Sequence, residues 1–176
     1  MNHKELPLEK IDSVIELYFN GQIQEALDTI IALSKDHPNE PLLLNISGVC
    51  YAGLSLMDNA VKSYEKAIAI KPDYADAHYN LGNILRDLGE LDGAIKSYRK
   101  TIEFMPDFDA AQHNLGVTLE ELGQLDEAIE HYEKAVSINP DNTELLISLG
   151  YIYQDLGELD EAIEYYKKAL SIDPDN

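Results

Sequence analysis

The sequence predicts an all-α fold of consecutive helix pairs, an α-solenoid, and three observations predict it. Marker residues recur every 34 positions: Gly48, Gly82, Gly116 and Gly150 share one place, Ala26, Ala60, Ala94, Ala128 and Ala162 a second, and Pro38, Pro72, Pro106, Pro140 and Pro174 a third. Between them apolar residues follow the three-and-four spacing of a helix, as in His78, Leu81, Leu85 and Leu88, then Leu91, Ala94, Ile95, Tyr98 and Ile102. Gly21, Gly89, Gly123 and Gly157 fall between the two stripes, where a left-handed residue closes a turn without a Cβ clash. Laid out at this period the chain becomes a short tail, 1–6, and one array, 7–176, of five copies: 7–40, 41–74, 75–108, 109–142 and 143–176.

Taken in order, the tail holds no apolar run of signal-peptide length, so it is expected to fray and the cytoplasm is the expected compartment. Copy 7–40 diverges most: Val14 replaces the glycine, Leu33 stands where Ala67, Ala135 and Ala169 stand later, and Asp36 replaces an apolar residue. Divergence suits an end copy, one face of which meets no neighbour. In the later copies a mid-helix glycine costs about 1 kcal/mol relative to alanine, so close approach of the paired helix is the expected compensation. Asp58, Asp92, Asp126 and Asp160 are placed to N-cap the second helices. Those helices carry the core between copies, for example Leu125, Ala128, Ile129, Tyr132, Val136 and Ile138. Pro72, Pro106 and Pro140 stop them. In the last copy Leu159, Ile163, Tyr166, Leu170 and Ile172 have no following copy to meet. An uncapped C-terminal face open to self-association is therefore expected.

The period, with small residues at the eighth and twentieth places, an aromatic at the twenty-fourth and proline at the thirty-second, resembles the tetratricopeptide repeat family over 7–176. The resemblance implies a right-handed superhelix of antiparallel helix pairs. It also implies a non-catalytic interaction module, binding a peptide or protein in a concave groove lined by one face of the first helices. On that face the N-terminal end is apolar: Leu8, Ile11, Ile15, Phe19, Leu42, Ile46 and Val49. The middle holds Tyr79, Asn80, Asn83 and Arg86, then His113, Asn114, Val117 and Glu121, and the last copy adds Ser148 and Tyr151. The acids Asp76, Asp87, Glu120, Glu121, Glu144 and Asp155 face the single cation Arg86, so the expected ligand is neutral to basic.

Repeats of this family that clamp acidic chaperone tails need basic groove residues, and lysine is absent from every such place here. A weaker similarity links Asn80 and Asn114 to the asparagine ladder of the repeats attached to O-glycosyltransferases. There an amide both donates to and accepts from an extended peptide backbone. Ser148, Ile46 and Asp12 depart from that ladder. Two alternatives stand beside the binding module. One is a substrate-selecting or targeting arm of a larger enzyme whose catalytic domain follows residue 176. The other is a self-assembling scaffold.

Composition narrows the field. The net charge of −20 divides as −5, 0, −2, −7 and −6 over the five copies with a neutral tail, and 13 basic against 33 acidic residues offer no patch for nucleic acid. No apolar run is long enough to cross a bilayer. Cys50 stands alone and is expected to be a buried small hydrophobe. No two of the five histidines have the i, i+4 spacing that puts both imidazoles on one metal. The paired acids recur with the period as helix-end residues, and neither a phosphate-binding loop nor an activated nucleophile is present. No enzyme activity, cofactor or metal is expected.

Overall fold

The structure is a computed structural model that describes residues 6–174. Ten α-helices and no strand lie among the described residues: α1 (Leu8–Phe19), α2 (Ile23–Asp36), α3 (Pro41–Gly53), α4 (Met57–Ile70), α5 (Ala75–Asp87), α6 (Leu91–Phe104), α7 (Asp109–Glu121), α8 (Leu125–Ile138), α9 (Thr143–Leu156) and α10 (Leu159–Ile172). Each expected copy holds two helices, and the fold is all-α, of tandem helix pairs. The helices divide into two units, α1–α5 and α6–α10. In the first, α1 packs on α2, α2 on α3, α3 on α4 and α4 on α5; in the second, α6 packs on α7, α7 on α8, α8 on α9 and α9 on α10. Of the expected tail, residues 1–5 lie outside the described residues. Leu6 is half-buried and packs against the first core, where fraying was expected.

The turns inside the pairs are short, and a short link between packed helices forces them antiparallel. Gly123 takes φ +72° in the turn between α7 and α8, with nothing within 4 Å of where a Cβ would sit. Backbone conformation, and not space, selects glycine there. Ser55 occupies the same place in the second copy at φ +60°, so that turn carries strain the others avoid.

The second helices begin two residues earlier than the expected aspartate caps require. Leu56, Glu90, Gln124 and Glu158 precede them, none with a side-chain cap bond, and Asp58, Asp92, Asp126 and Asp160 are the second helical residues. The carbonyl of Gln124 already accepts from Ala128 N at 3.0 Å, so Asp126 is helical and cannot fold back as a cap. Its charge still favours the positive end of the helix dipole, by about 0.3 to 1 kcal/mol. At the other end, Lys71, Met105 and Asn139 leave the helix at φ near −130° (−126°, −134° and −131°). Each precedes a proline, whose ring disfavours helical geometry in the residue before it.

Packing explains the small residues. A Cβ on Gly116 would lie 2.8 Å from the Tyr132 ring, and Gly48 and Gly150 meet Tyr64 and Tyr166 in the same way. The glycine of α3, α7 and α9 is thus the seat of a tyrosine from the paired helix. In the first pair both members change: Val14 and Ile30 take the two places and are completely buried. A larger residue on one side is offset by a smaller one on the other, which conserves volume. The first unit's core is completed by Ile11, Ala26, Leu27, Leu33, Leu43 and Cys50. In the second unit Leu115, Leu119, Leu145, Leu146, Leu149 and Ile152 are buried to within 2% exposure.

Candidate functional site

In the second unit the first helices α7 and α9 border a pocket of about 500 Å³ lined by Val117, Glu120, Glu121, Tyr132, Ser148, Tyr151 and Asp155. Three of those seven residues are acids, and Tyr151 offers a ring that is 58% exposed. Local bonds hold the pocket in shape. The Tyr132 hydroxyl donates to Glu120 Oε2 at 2.6 Å, which anchors that carboxylate, and the Tyr166 hydroxyl donates to Gln154 Oε1 at 3.0 Å from the equivalent place. The Tyr151 and Tyr166 rings meet edge to face with centroids 5.8 Å apart. Ser148 Oγ donates to the Glu144 carbonyl at 3.0 Å, and His113 Nε2 lies 3.0 Å from Ser148 Oγ. With the hydroxyl proton committed, His113 is the donor in that bond, through Nε2–H.

On α8 His131 is half-buried, its Nδ1–H donating to Gln112 Oε1 at 2.7 Å. Burial, reinforced by Lys134, pushes its pKa below the ordinary value, against the opposing pull of Glu127. The ring is therefore neutral at pH 7 and adds no positive charge to α8.

The first unit offers a different surface. A pocket of about 200 Å³ is lined by Val14, Ile15, Tyr18, Phe19, Ile46, Val49 and Cys50. Leu8, Ile15 and Phe19 are 66%, 42% and 82% exposed, whereas Leu42, Ile46 and Val49 are half-buried. Burial pushes the Cys50 thiol pKa up, so the sulfur is an inert part of the wall. Beyond this pocket Asn80 Nδ2 donates to Asn45 Oδ1 at 3.1 Å. That bond joins the fifth place of one copy to the sixth of the next, the same relation that His113 bears to Ser148.

Of the residues expected on the binding face, Val117, Glu120, Glu121, Ser148, Tyr151 and Asp155 meet in the pocket of the second unit, and Ile15, Phe19, Ile46 and Val49 in that of the first. Ile11 does not belong there: it is 5% exposed and packs into the core, because its place on α1 turns toward α2. Leu8 and Leu42 lie outside the apolar pocket lining, and Asn80 spends one amide hydrogen on Asn45. His78 is nine-tenths buried with Nε2 2.9 Å from the Pro72 carbonyl, a structural contact. Val14, Cys50 and Tyr132 line the pockets although helix spacing assigns them to the core. The glycine at the eighth place paired with a tyrosine at the twenty-fourth was the available signal for Tyr132: without a Cβ, the glycine lets the partner's ring pack close under the groove wall. Among the described residues no group of His, Cys, Asp and Glu is arranged to hold a metal, and no helix is long and apolar enough to cross a membrane.

Comparison with known proteins agrees with this architecture. A tetratricopeptide repeat family model matches residues 73–141 and 107–175, and a second TPR repeat model matches 57–85. The peroxisomal targeting signal receptor of Kluyveromyces lactis is 27% identical over 88 residues, covering 47% of this chain and 16% of that receptor. The chain thus spans about a sixth of the length of that curated relative. Among solved structures, a crystal structure of MamA superposes with a TM-score of 0.84 at 29% identity, covering 92% of this chain and 94% of the other. YrrB, described as a TPR protein with an unusual peptide-binding site, superposes with a TM-score of 0.78 at 21% identity over 99% and 90% of the two chains. With family models matching more than half of the sequence, and the pairing of helices they describe present in the structure, the chain belongs to the tetratricopeptide repeat family.

Proposed function

We propose that this chain is a non-catalytic binding module that takes a neutral-to-basic peptide or protein segment on the first-helix faces. The observation that carries the reading is the pocket between α7 and α9, where Glu120, Glu121 and Asp155 surround the exposed Tyr151. A lysine or arginine side chain satisfies such a site on both counts, by opposite charge and by lying over the ring. In the first unit, the apolar pocket under Ile15 and Phe19 suits a hydrophobic anchor. Relatives support the class: a targeting signal receptor and a protein with a peptide-binding site share this repeat.

Fluorescence anisotropy with a panel of labelled peptides of graded charge tests the proposal. Basic peptides should bind and acidic ones should not, and Glu121→Lys combined with Asp155→Lys should weaken the basic set about tenfold or more. Consistent preference for acidic peptides would overturn it. A second reading, the targeting or substrate-selecting arm of a larger protein, is favoured by one observation: in the receptor above the matching repeats are a minor part of the length. The same groove would then serve as that arm.

A further inference from the structure

The outer face of α10 carries observations independent of the groove. Elsewhere the outer stripe of a second helix is covered by the first helix of the following copy, as α2 is by α3, α4 by α5, α6 by α7 and α8 by α9. Leu125, Ile129, Val136 and Ile138 of α8 are accordingly half-buried. Their counterparts on α10, Leu159, Ile163 and Leu170, are 58%, 47% and 50% exposed, whereas Ile172 at 41% matches Ile70, 42% exposed at the same place of α4, and does not belong to the uncovered stripe. Beside Leu170 lies a further pocket of about 300 Å³ against Tyr166, Ala169, Tyr151 and Ile147. Nothing covers this stripe among the described residues.

Two features select the occupant. A first helix that covers such a stripe turns its third, seventh and tenth places toward it: Leu145, Leu149 and Ile152 in α9, or Leu43, Ser47 and Cys50 in α3, all buried. In α1 those places hold Glu9, Ser13 and Glu16, all exposed. Stacking α1 of one molecule on α10 of another would bury two carboxylates against leucine and isoleucine, so head-to-tail growth is opposed. α10, in contrast, is complementary to itself. Asp160, Glu161 and Glu164 occupy its first half, and Lys167 and Lys168 its second. Lys168 is engaged by Glu164 at 2.8 Å in its own helix, and Lys167, four residues after Ile163 and so flanking the stripe, is exposed. An antiparallel partner helix would bring Asp160 of one molecule alongside Lys167 of the other, twice over, and would also oppose the two helix dipoles favourably.

We propose that α10 pairs antiparallel with α10 of a second copy across a two-fold axis, giving a closed dimer and not an open stack. A single 14-residue helix face is small for an interface, so the dimer is a weak one. Sedimentation equilibrium of the whole chain at physiological salt, from about 10 to about 500 µM, tests it. A monomer–dimer equilibrium that saturates at the dimer is expected. Ile163→Glu with Leu170→Glu should lower the association constant at least about tenfold with helicity unchanged, since both side chains are solvent-exposed. Lys167→Glu should weaken the dimer, and adding Asp160→Lys to it should restore it. A monomer at every concentration, masses that climb beyond the dimer, or a charge swap that fails to restore association would each overturn the proposal. Circular dichroism on every variant separates lost pairing from lost folding.

Discussion

Gly116 is held at its place by Tyr132. Replacing it with alanine improves helix propensity by about 1 kcal/mol but sets a methyl 2.8 Å from a buried ring. The ring cannot swing away, because its hydroxyl is tied to Glu120 and its body is 1% exposed. Overpacking of this kind costs about 1 to 3 kcal/mol, so Gly116→Ala should destabilise the chain in urea denaturation in spite of the propensity gain. Gly123→Ala should also destabilise, by about 1 to 2 kcal/mol, through its left-handed φ alone. At His131 the folded pKa lies below the ordinary value near 6.5, so in the window below that value the unfolded chain binds more protons than the folded one. Stability from this ring is full above pH 6.5 and is lost as pH falls through the folded pKa. Melting temperatures between about pH 7.5 and 5.5 should therefore drop further for the parent chain than for His131→Gln.

Elements differ in how their ends are made. Asn142 accepts from the backbone of Glu144 at 3.0 Å and Leu145 at 3.4 Å, so α9 starts on a side-chain cap, whereas α4, α6, α8 and α10 start straight from a turn. Asn142→Ala should cost about 1 kcal/mol, and amide hydrogen exchange should show faster exchange at the first turn of α9. Asp126→Asn, by comparison, removes only a favourable charge at the helix dipole and should cost no more than about 0.3 to 1 kcal/mol. Chemical denaturation of the two variants side by side checks the ranking. The bonds from Asn80 to Asn45 and from His113 to Ser148 join successive first helices within each unit and fix the register of the first-helix faces.

At the scale of the whole molecule, a net charge of −20 has two consequences of opposite sign. Self-repulsion weakens folding at low ionic strength, so the melting temperature should rise by several degrees between about 20 and about 500 mM NaCl. Attraction of a basic peptide depends on the same unscreened carboxylates, so its affinity should fall over that range. Parallel melting and anisotropy titrations check both. A peptide affinity that ignores salt would point to the apolar pocket of the first unit as the dominant contact.

The 34-residue period by itself determined the ten helices, their pairing and the family, because each copy repeats the same turn, seat and stop in the local code. Gly116 announced a close contact, Gly123 a left-handed turn and Pro140 a helix end, each from its own backbone chemistry. It also placed Val117, Glu121 and Tyr151 on one face, since a helix fixes which side chains project together. What the period left open was the depth of each side chain. Ile11 shares the spacing of Ile15 yet sinks into the core, and Tyr132, a core residue by spacing, reaches the pocket wall. The aspartates expected as caps are the second residues of their helices, two places past the actual caps, because the turn before them already supplies the first helical carbonyl. Those outcomes depend on what stands opposite, a partner helix or open water, and that is decided only when separate stretches of chain are packed together.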